Sequence, residues 1–314
     1  MSTIPTVLPL NSGHEIPVVG LGTYKSSSGE VGEAVKYAIQ IGYRHIDCAW
    51  MYANEAEIGH VLKEILDEGS IKREDLFIVT KLWNNFHARE LVVEKLKESL
   101  SLLNLTYIDL YLIHWPMGFK ENADPLPNDP SAYTDIDYVE TWKGMEECVD
   151  QGLAKSIGLS NFNEEQITRY LVLENCRIRP AVNQIEVNPN LNQKDLIGFC
   201  KEREIVVTGY CPLGRAAQSQ VTPGYPVSTL LDQKVVEMGK KYGKTAAQVV
   251  LRYLISLGIA VIPKSVNENR IQENIQIFDF DLDPEDISYL DSRNTGQRIA
   301  TLVAYKDHKY YPFR

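Results

Sequence analysis

The sequence consists largely of short hydrophobic runs that each end in a polar or reactive side chain, with longer amphipathic segments between them. Eight of these runs begin near Val18, Arg44, Leu76, Ile108, Ser156, Ala181, Ile205 and Ile259. Strand-length segments that alternate with helix-length segments are typical of βα units, which build parallel sheets. Eight units in a row predict an α/β fold, a (β/α)8 TIM barrel, and an open doubly wound sheet is the alternative.

The residues that end these runs carry side chains able to handle protons or to bind amides and phosphates. They are Asp47, Lys81, His114, Ser160, Asn161, Gln184, Tyr210, Lys264 and Ser265. The carboxyl ends of parallel strands meet at one end of a barrel, which is where enzymes of this fold build their active sites. The pattern therefore indicates an enzyme.

The composition fits a single barrel domain that spans residues 1–314. An apolar fraction of 44% suffices for a large core, and barrels of this kind often exceed about 200 residues as one domain. The net charge of -10 disfavours nucleic acid and anionic membrane as partners, because both attract basic surfaces. Five scattered cysteines without a C-x-x-C pair indicate reduced thiols. With neither a signal peptide nor a membrane span in the sequence, we expect a cytoplasmic protein.

Local signals place the first two helices. The first has an apolar stripe at helical spacing, formed by Val31, Ala34, Val35, Ala38 and Ile39. Ser28 is its predicted N-cap, and Gly42 marks its end. The second helix is predicted to begin at Asn54, with Glu57 completing a capping box.

Three segments fall outside the regular alternation. Residues 6–17 predict a β-hairpin around a central Asn-Ser-Gly, and residues 115–136 predict a long loop after the fourth barrel strand. Residues 292–314 form an irregular C-terminal tail that contains several aromatic residues. Such segments are usually functional, and we expect the hairpin and the tail to cover the strand ends of the active site.

Four residues at the ends of the second, third and fourth strands suit proton donation to a carbonyl oxygen, namely Asp47, Tyr52, Lys81 and His114. A lysine ammonium near Tyr52 is expected to lower the pKa of the phenol, which is ordinarily about 10. A carboxylate paired with that lysine holds it charged, and a histidine can orient a substrate oxygen. Taken singly, each residue more often has a structural role, and only the cluster favours catalysis. The histidines lack ligand-spaced partners, so no metal site is predicted.

A second set of residues suits a dinucleotide cofactor. Gly20-Leu21-Gly22 lacks the third glycine of the Rossmann fingerprint. Lys264, Ser265 and Arg270, with Glu273-Asn274 close by, instead place cations and a helix N-terminus after the eighth strand, where barrels often bind phosphate. Two cations match an extra phosphate monoester and hence NADP rather than NAD. A solvated basic turn is the alternative for these residues.

Several motifs together resemble one family, the aldo-keto reductases, and most closely its aldose reductase and hydroxysteroid dehydrogenase branch. The resemblance extends over essentially the whole chain. Its motifs are Gly42-Tyr43-Arg44-His45-Ile46-Asp47, Thr80-Lys81-Leu82-Trp83, Asp109-Leu110-Tyr111-Leu112-Ile113-His114-Trp115-Pro116, Gly158-Leu159-Ser160-Asn161-Phe162, Asn183-Gln184-Ile185-Glu186, Tyr210-Cys211-Pro212-Leu213-Gly214 and Ile262-Pro263-Lys264-Ser265. The resemblance implies NADPH-dependent reduction of aldehydes and ketones, with Tyr52 as the general acid, Lys81 and Asp47 as its activators, and His114 orienting the carbonyl.

The resemblance also implies which residues contact the cofactor and the substrate. Ser160, Asn161 and Gln184 would bind the carboxamide of NADPH, and Tyr210 would stack on its nicotinamide. The further implied cofactor contacts are Gly22, Thr23, Leu213, Lys264, Ser265, Arg270, Glu273 and Asn274. The implied pocket residues are Tyr24, Met51, Trp83 and Trp115, which favour aldehydes and bulky apolar ketones. Tyr24 stands where aldose reductases carry tryptophan. At this position the chain is more similar to the steroid-handling members of the branch.

The physiological substrate stays open at this level. Some arthropod members reduce ecdysteroid ketones such as 3-dehydroecdysone, so a steroid of that kind is one interpretation. The alternatives are a non-catalytic relative that only binds cofactor as a structural or accessory subunit, and an unrelated barrel enzyme that acts on a phosphorylated substrate. Relatives in this branch are commonly monomers, so a monomer is expected.

Overall fold

Eight parallel strands form one sheet in the computed structural model, which describes residues 4–171, 176–215 and 227–314. An antiparallel hairpin precedes them, made of β1 (Val7–Pro9) and β2 (Glu15–Pro17). The strands of the parallel sheet are β3 (Leu21–Gly22), β4 (His45–Asp47), β5 (Phe77–Leu82), β6 (Ile108–Ile113), β7 (Ala154–Ser160), β8 (Val182–Glu186), β9 (Val206–Tyr210) and β10 (Ala260–Val261). Each strand pairs with the next along the chain, as eight βα units require.

The sheet closes on itself where its first and last strands meet. Val19 bridges Val261 and Gly22 bridges Lys264, both in parallel. The backbone N–H of Gly22 donates to Pro263 O at 3.2 Å, and a Cβ on Gly22 would lie 2.7 Å from Ile262 O. A residue without a side chain is therefore needed at this seam. The predicted barrel is confirmed, and the open sheet is excluded.

Helices surround the barrel, and most of them present one buried face to the strands. Within the described residues they are α1 (Val31–Gln40), α2 (Glu55–Asp67), α3 (Arg89–Leu102), α4 (Tyr138–Asp150), α5 (Glu164–Leu171), α6 (Lys194–Lys201), α7 (Gln233–Tyr242), α8 (Ala246–Ser256), α9 (Glu268–Ile275) and α10 (Pro284–Ser292). The predicted apolar stripe of α1 is buried, and Gly42 follows its end with a φ of +110°, as predicted. Among the helices described, none has the length and apolar character that crossing a membrane requires.

The two predicted helix caps are wrong. The residue that precedes α1 is Glu30 rather than Ser28, and its side chain makes no capping hydrogen bond. Asn54 does precede α2, but it makes no side-chain cap either: its amide nitrogen donates to Thr23 O at 3.0 Å, and its buried oxygen has no hydrogen-bond partner among the described residues. The carboxylate of Glu57 accepts instead from the N–H groups of Gly29, at 3.0 and 3.1 Å, and of Gly32, at 2.8 Å. Glu57 thus caps the neighbouring helix, not its own.

The hairpin lies at the opposite end of the barrel from the strand ends it was expected to cover. Leu10 and Ile16 pack in a buried apolar cluster with residues that begin strands, among them Phe77 and Ala260. The amide of Asn11 donates to Pro180 O at 2.8 Å, next to the start of β8. The hairpin therefore closes the amino end of the barrel and takes no part in the site at the carboxyl end.

The long loop and the tail do lie together at the carboxyl end. Trp83, just after β5, donates its indole N–H to Pro125 O of the loop at 2.8 Å. His308 of the tail contacts Gly118 O of the loop through Nε2 at 2.9 Å, and the Tyr133 ring lies 5.0 Å from its imidazole. The predicted covering of the strand ends by the tail is confirmed.

Candidate active site

A buried ion pair forms the centre of the site. Lys81 near the end of β5 donates from Nζ to Asp47 Oδ1 at 2.5 Å, and both side chains are almost fully buried. The same ammonium donates to Cys48 O at 2.8 Å and to the Tyr52 hydroxyl at 3.2 Å. Removing either charge would leave the other buried without compensation, which is strongly unfavourable. The pair therefore fixes one charged nitrogen beside a phenol.

Tyr52 ends a short 3-10 helix, Trp50–Tyr52, which Ala53 terminates in the left-handed conformation with a φ of +54°. The turn brings the phenol to the ion pair, with the Tyr24 ring 5.0 Å away. Burial raises the pKa of Tyr52 well above its ordinary value, and the charge of Asp47 raises it further. The expected net lowering of this pKa is wrong, because desolvation of the buried phenol and the charge of Asp47 outweigh any stabilisation of the phenolate by Lys81. Tyr52 is therefore held protonated.

His114 follows β6 directly, and its backbone N–H donates to Leu82 O at 3.1 Å. Its imidazole meets the Trp83 ring edge-on at 5.0 Å and the Tyr52 ring at 5.8 Å. Burial lowers the pKa of His114 well below its ordinary value, and the charge of Lys81 lowers it further. The ring is therefore neutral at neutral pH, and its buried Nδ1 has no hydrogen-bond partner among the described residues.

Four residues at the ends of β7, β8 and β9 are joined by hydrogen bonds. The Asn161 amide donates to His114 O at 2.9 Å, and its oxygen accepts from the Tyr210 hydroxyl at 2.7 Å. Ser160 donates to the backbone oxygen of Gln184 at 2.9 Å. Asn161 has a φ of +63°, a conformation that asparagine tolerates better than most residues.

Gln184 connects this group to the ion pair. Its amide Nε2 donates to Asp47 Oδ2 at 2.7 Å, across the interior of the barrel mouth. Both oxygens of Asp47 are therefore engaged, one by Lys81 and one by Gln184. The sequence placed Gln184 with the cofactor contacts only, and nothing in its spacing pointed to Asp47.

The basic turn after β10 leads into α9, whose N-cap Asn267 accepts from Arg270 N at 3.1 Å. Lys264 and Arg270 are exposed, and neither has an ion-pair partner among the described residues. Ser265 is buried and bonds to the backbone of Asn267, while Glu273 and Asn274 lie further along the helix. Two unpaired cations at a helix N-terminus fit a phosphate group. These residues therefore fit the phosphorylated end of NADP(H).

The remaining predicted cofactor residues line the barrel seam and the loop after β9. Thr23 is buried and donates from Oγ1 to Asp47 O at 2.8 Å, while Gly22 bridges Lys264. Leu213 is half-buried, and its backbone oxygen accepts from the Ser228 hydroxyl at 3.0 Å.

Two of the predicted pocket residues contact Tyr52 and His114: the Tyr24 ring lies 5.0 Å from the Tyr52 ring, and the Trp83 ring lies 5.0 Å from the His114 imidazole. Tyr24 is 41% exposed and Met51 is half-buried, whereas Trp83 and Trp115 are buried. The Trp115 ring meets Phe313 of the tail at 5.8 Å. Phe313 is a neighbour of the pocket that the sequence indicated only as one of several aromatic residues in the tail.

The described residues contain no cluster of three or more His, Cys, Asp or Glu side chains suited to a metal ion. All five cysteines lie within them as free thiols. The buried histidines His45, at the start of β4, and His114, directly after β6, contact backbone or aromatic groups.

Comparison with known proteins gives consistent matches. The sequence profile of the Aldo/keto reductase family matches residues 18–295. Aldo-keto reductase family 1 member A1-A of Danio rerio is 45% identical, with 98% of each chain covered. Estradiol 17 beta-dehydrogenase 5 of Mus musculus is 43% identical, with 97% of this chain and 96% of that protein covered. The crystal structure of a Bombyx mori aldo-keto reductase in complex with NADP superposes with a TM-score of 0.89, at 42% identity and 98% coverage of both chains.

Proposed function

The chain belongs to the aldo/keto reductase family and is an NADP-dependent oxidoreductase, and we propose that it reduces aldehydes and bulky apolar ketones to alcohols. The observation that carries this proposal is the contact of Lys81 with both Asp47 and Tyr52. It fixes a protonated phenol next to a charged nitrogen inside an apolar pocket. Such a group is suited to give a proton to an oxygen that becomes negative.

We assign Tyr52 the role of general acid. Its raised pKa keeps the hydroxyl protonated at neutral pH, so the proton is available when a carbonyl binds. Negative charge that develops on the carbonyl oxygen makes that oxygen a better proton acceptor than the ground-state carbonyl. As the proton leaves, the Lys81 ammonium at 3.2 Å stabilises the phenolate that forms. Asp47 keeps Lys81 in place and charged.

His114 orients the substrate in this proposal. A neutral imidazole can donate one N–H hydrogen bond to the carbonyl oxygen without competing as an acid with Tyr52. Its depressed pKa keeps it in that form at neutral pH. Trp83, in edge contact with the ring, restricts the imidazole to one orientation.

NADPH supplies, when bound, the hydride that the carbonyl carbon receives. Lys264, Ser265 and Arg270 would hold its phosphorylated end, with Glu273 and Asn274 on the same helix. Ser160, Asn161, Gln184 and Tyr210 would hold the other end beside the ion pair, together with Gly22, Thr23 and Leu213. One hydride and one proton added to the carbonyl give the alcohol.

The apolar walls favour a hydrophobic substrate, and we include steroid ketones, ecdysteroids among them, in the proposed class. Tyr24, Met51, Trp83 and Trp115 offer contact area without charge. The mouse relative named an estradiol dehydrogenase supports a steroid-sized substrate. We further propose that residues 1–314 act as one domain, without a metal, as a cytoplasmic monomer.

The test is the oxidation of NADPH, followed by absorbance, with a panel of aldehydes, apolar ketones and ecdysteroid ketones. Tyr52→Phe should lower kcat by at least about 100-fold, because a general acid contributes about 10²–10⁴-fold. NADPH affinity, measured by protein fluorescence, should stay nearly unchanged. Tyr107→Phe is the matched control at the amino end of the barrel, where the hydroxyl takes no part in the site.

Two outcomes would contradict the proposal. If Tyr52→Phe keeps most of its activity, the general acid is wrongly assigned. If the wild-type protein binds NADPH tightly but reduces no compound in the panel, the result contradicts carbonyl reduction. It then favours the alternative, a non-catalytic relative that only binds the cofactor.

A further inference from the structure

One fully buried carboxylate at the barrel mouth has no part in the proposed mechanism. Glu186 is the last residue of β8 and is 0% exposed. Its carboxylate accepts from Ile299 N at 2.9 and 3.0 Å, from Ala300 N at 2.7 Å and from the amide of Asn188 at 3.2 Å. Burying a carboxylate is costly unless it is well bonded, so its use here indicates a specific task.

The two backbone donors belong to the C-terminal tail. Ile299 and Ala300 lie beyond residue 295, where the match to the family profile ends. Hydrogen bonds to an ionised carboxylate are stronger than bonds between neutral groups. Glu186 therefore ties a segment outside the family match to the strand end within it.

A second contact reinforces the same attachment. The Gln193 amide donates to the backbone oxygen of Glu186 at 2.5 Å, and its side-chain oxygen accepts from Arg298 Nη2 at 3.4 Å. Arg298, Ile299 and Ala300 are thus held consecutively at the end of β8.

The attached segment supports the wall of the substrate pocket. The Arg298 guanidinium lies 3.8 Å from the Phe313 ring centre, and the Phe313 ring lies 5.8 Å from Trp115. The Tyr311 hydroxyl donates to Thr301 O at 2.7 Å and its ring also contacts Phe313. Contacts therefore run without interruption from the carboxylate to the tryptophan that follows His114.

We propose that Glu186 is a positioning residue that fixes the tail wall of the pocket and thereby determines selectivity for bulky apolar ketones over small aldehydes. The inference rests on the proposed carbonyl reduction for its kinetic part only. A small aldehyde needs little of the wall formed by Trp115 and Phe313. A bulky ketone needs that wall in place, because the apolar area it buries there supplies its binding energy.

Glu186→Gln removes the attachment with the least change in shape. An amide keeps one acceptor oxygen but turns an NH₂ group toward one of the two backbone N–H donors. Two donors then face each other in a buried place, which disfavours the attached conformation. Ala300→Pro removes one backbone N–H from the tail side, leaves the barrel sequence unchanged and keeps the Arg298–Ile299 bond, so it serves as the second variant.

The kinetic readout is the ratio of kcat/KM for a bulky apolar ketone to kcat/KM for propanal. We expect this ratio to fall about tenfold in Glu186→Gln, mainly through a higher KM for the ketone, as the loss of a charged hydrogen bond allows. Glu146→Gln is the matched control. Glu146 on α4 is also buried and accepts from two backbone N–H groups, those of Arg177 at 2.8 Å and Ile178 at 2.9 Å, but it does not touch the tail.

A second readout is independent of activity. Trypsin cleaves after arginine, so a released tail should be cut between Arg298 and Ile299, and mass spectrometry identifies the fragments. We expect rapid cleavage there in Glu186→Gln and Ala300→Pro, and resistance in the wild type and in Glu146→Gln.

The outcomes separate the two proposals. If the wild type reduces no carbonyl, the proposed function fails, yet cleavage after Arg298 in the two tail variants still supports the attachment. If Glu186→Gln matches Glu146→Gln in both selectivity and cleavage, Glu186 contributes only to general stability and the inference is overturned.

Discussion

At the scale of single residues, the proposed selection of NADPH over NADH depends on Arg270 at the barrel rim. Arg270 is exposed on the first turn of α9, and its backbone N–H is already bonded to Asn267. Replacing its side chain leaves that cap intact. The substitution should therefore change only the affinity for the anion that the guanidinium contacts.

Arg270→Ala should weaken NADPH binding about tenfold to 100-fold, because a hydrogen bond to a charged group is worth about 1.5–3 kcal/mol. NADH lacks the extra phosphate, so its affinity should change little and serves as the internal control. Fluorescence titration of both cofactors measures the difference. Equal losses for NADPH and NADH would refute the phosphate assignment of Arg270.

At the scale of single residues, the sequence predicted which side chains lie together but not their protonation states. Asp47, Lys81 and His114 could be grouped because parallel strands end together, a rule that needs no tertiary detail. The pKa of Tyr52 could not be predicted, because it depends on burial and on Asp47 holding Lys81. The bond from Gln184 to Asp47 joins residues 137 apart in the chain, which local spacing cannot reveal.

The first two helices are coupled by Glu57, whose carboxylate binds N–H groups at the start of α1 from a position on α2. Asn54 and Glu57 have the spacing of a capping box, so the sequence favoured a local arrangement. The Asn54 amide is instead bonded to Thr23 O. A cap supplied by a neighbouring element has no signature within the helix that it caps, which is why the cap predicted for α1 was wrong.

Glu57→Ala should lower the free energy of unfolding by about 1.5–3 kcal/mol, since it removes a charged acceptor from the N–H groups of Gly29, just before α1, and of Gly32 in its first turn. Urea unfolding measures the change. Glu68→Ala, at the exposed C-terminal end of the same helix, should change stability by less than about 0.5 kcal/mol. If Glu57→Ala lowers the free energy of unfolding no more than Glu68→Ala does, then Glu57 does not cap α1.

The barrel as a whole was predictable because one local pattern repeats eight times. The end of the barrel that the hairpin closes could not be predicted from the sequence. Apolar residues such as Leu10 fit either end of a barrel, and only the tertiary contacts determine at which end the hairpin packs. The attachment of the tail through Glu186 depends on backbone donors at residues 299 and 300, which every sequence offers. These features need the assembled molecule.

Four of the six histidines are buried, and burial lowers the pKa of each below its ordinary value: His45, His87, His114 and His308. Burial, and to a smaller extent the imidazole of His308, lowers the pKa of His87 to about 3. Both ring nitrogens of His87 lack a hydrogen-bond partner among the described residues. The unfolded chain therefore takes up protons below pH 6.5 that the folded protein does not bind.

Stability must consequently fall as the pH drops from about 6.5, the ordinary pKa of histidine, towards the depressed values. Each histidine that stays neutral in the fold and is protonated in the unfolded chain contributes a slope of about 1.4 kcal/mol per pH unit. His87→Leu removes one such proton and gives up no hydrogen bond. Urea unfolding at about pH 5.5 and about pH 4.5 should show a slope smaller by that amount. His14→Leu, at an exposed position in the hairpin turn, is the matched control variant, and an unchanged slope in His87→Leu would show that His87 is protonated in the folded protein.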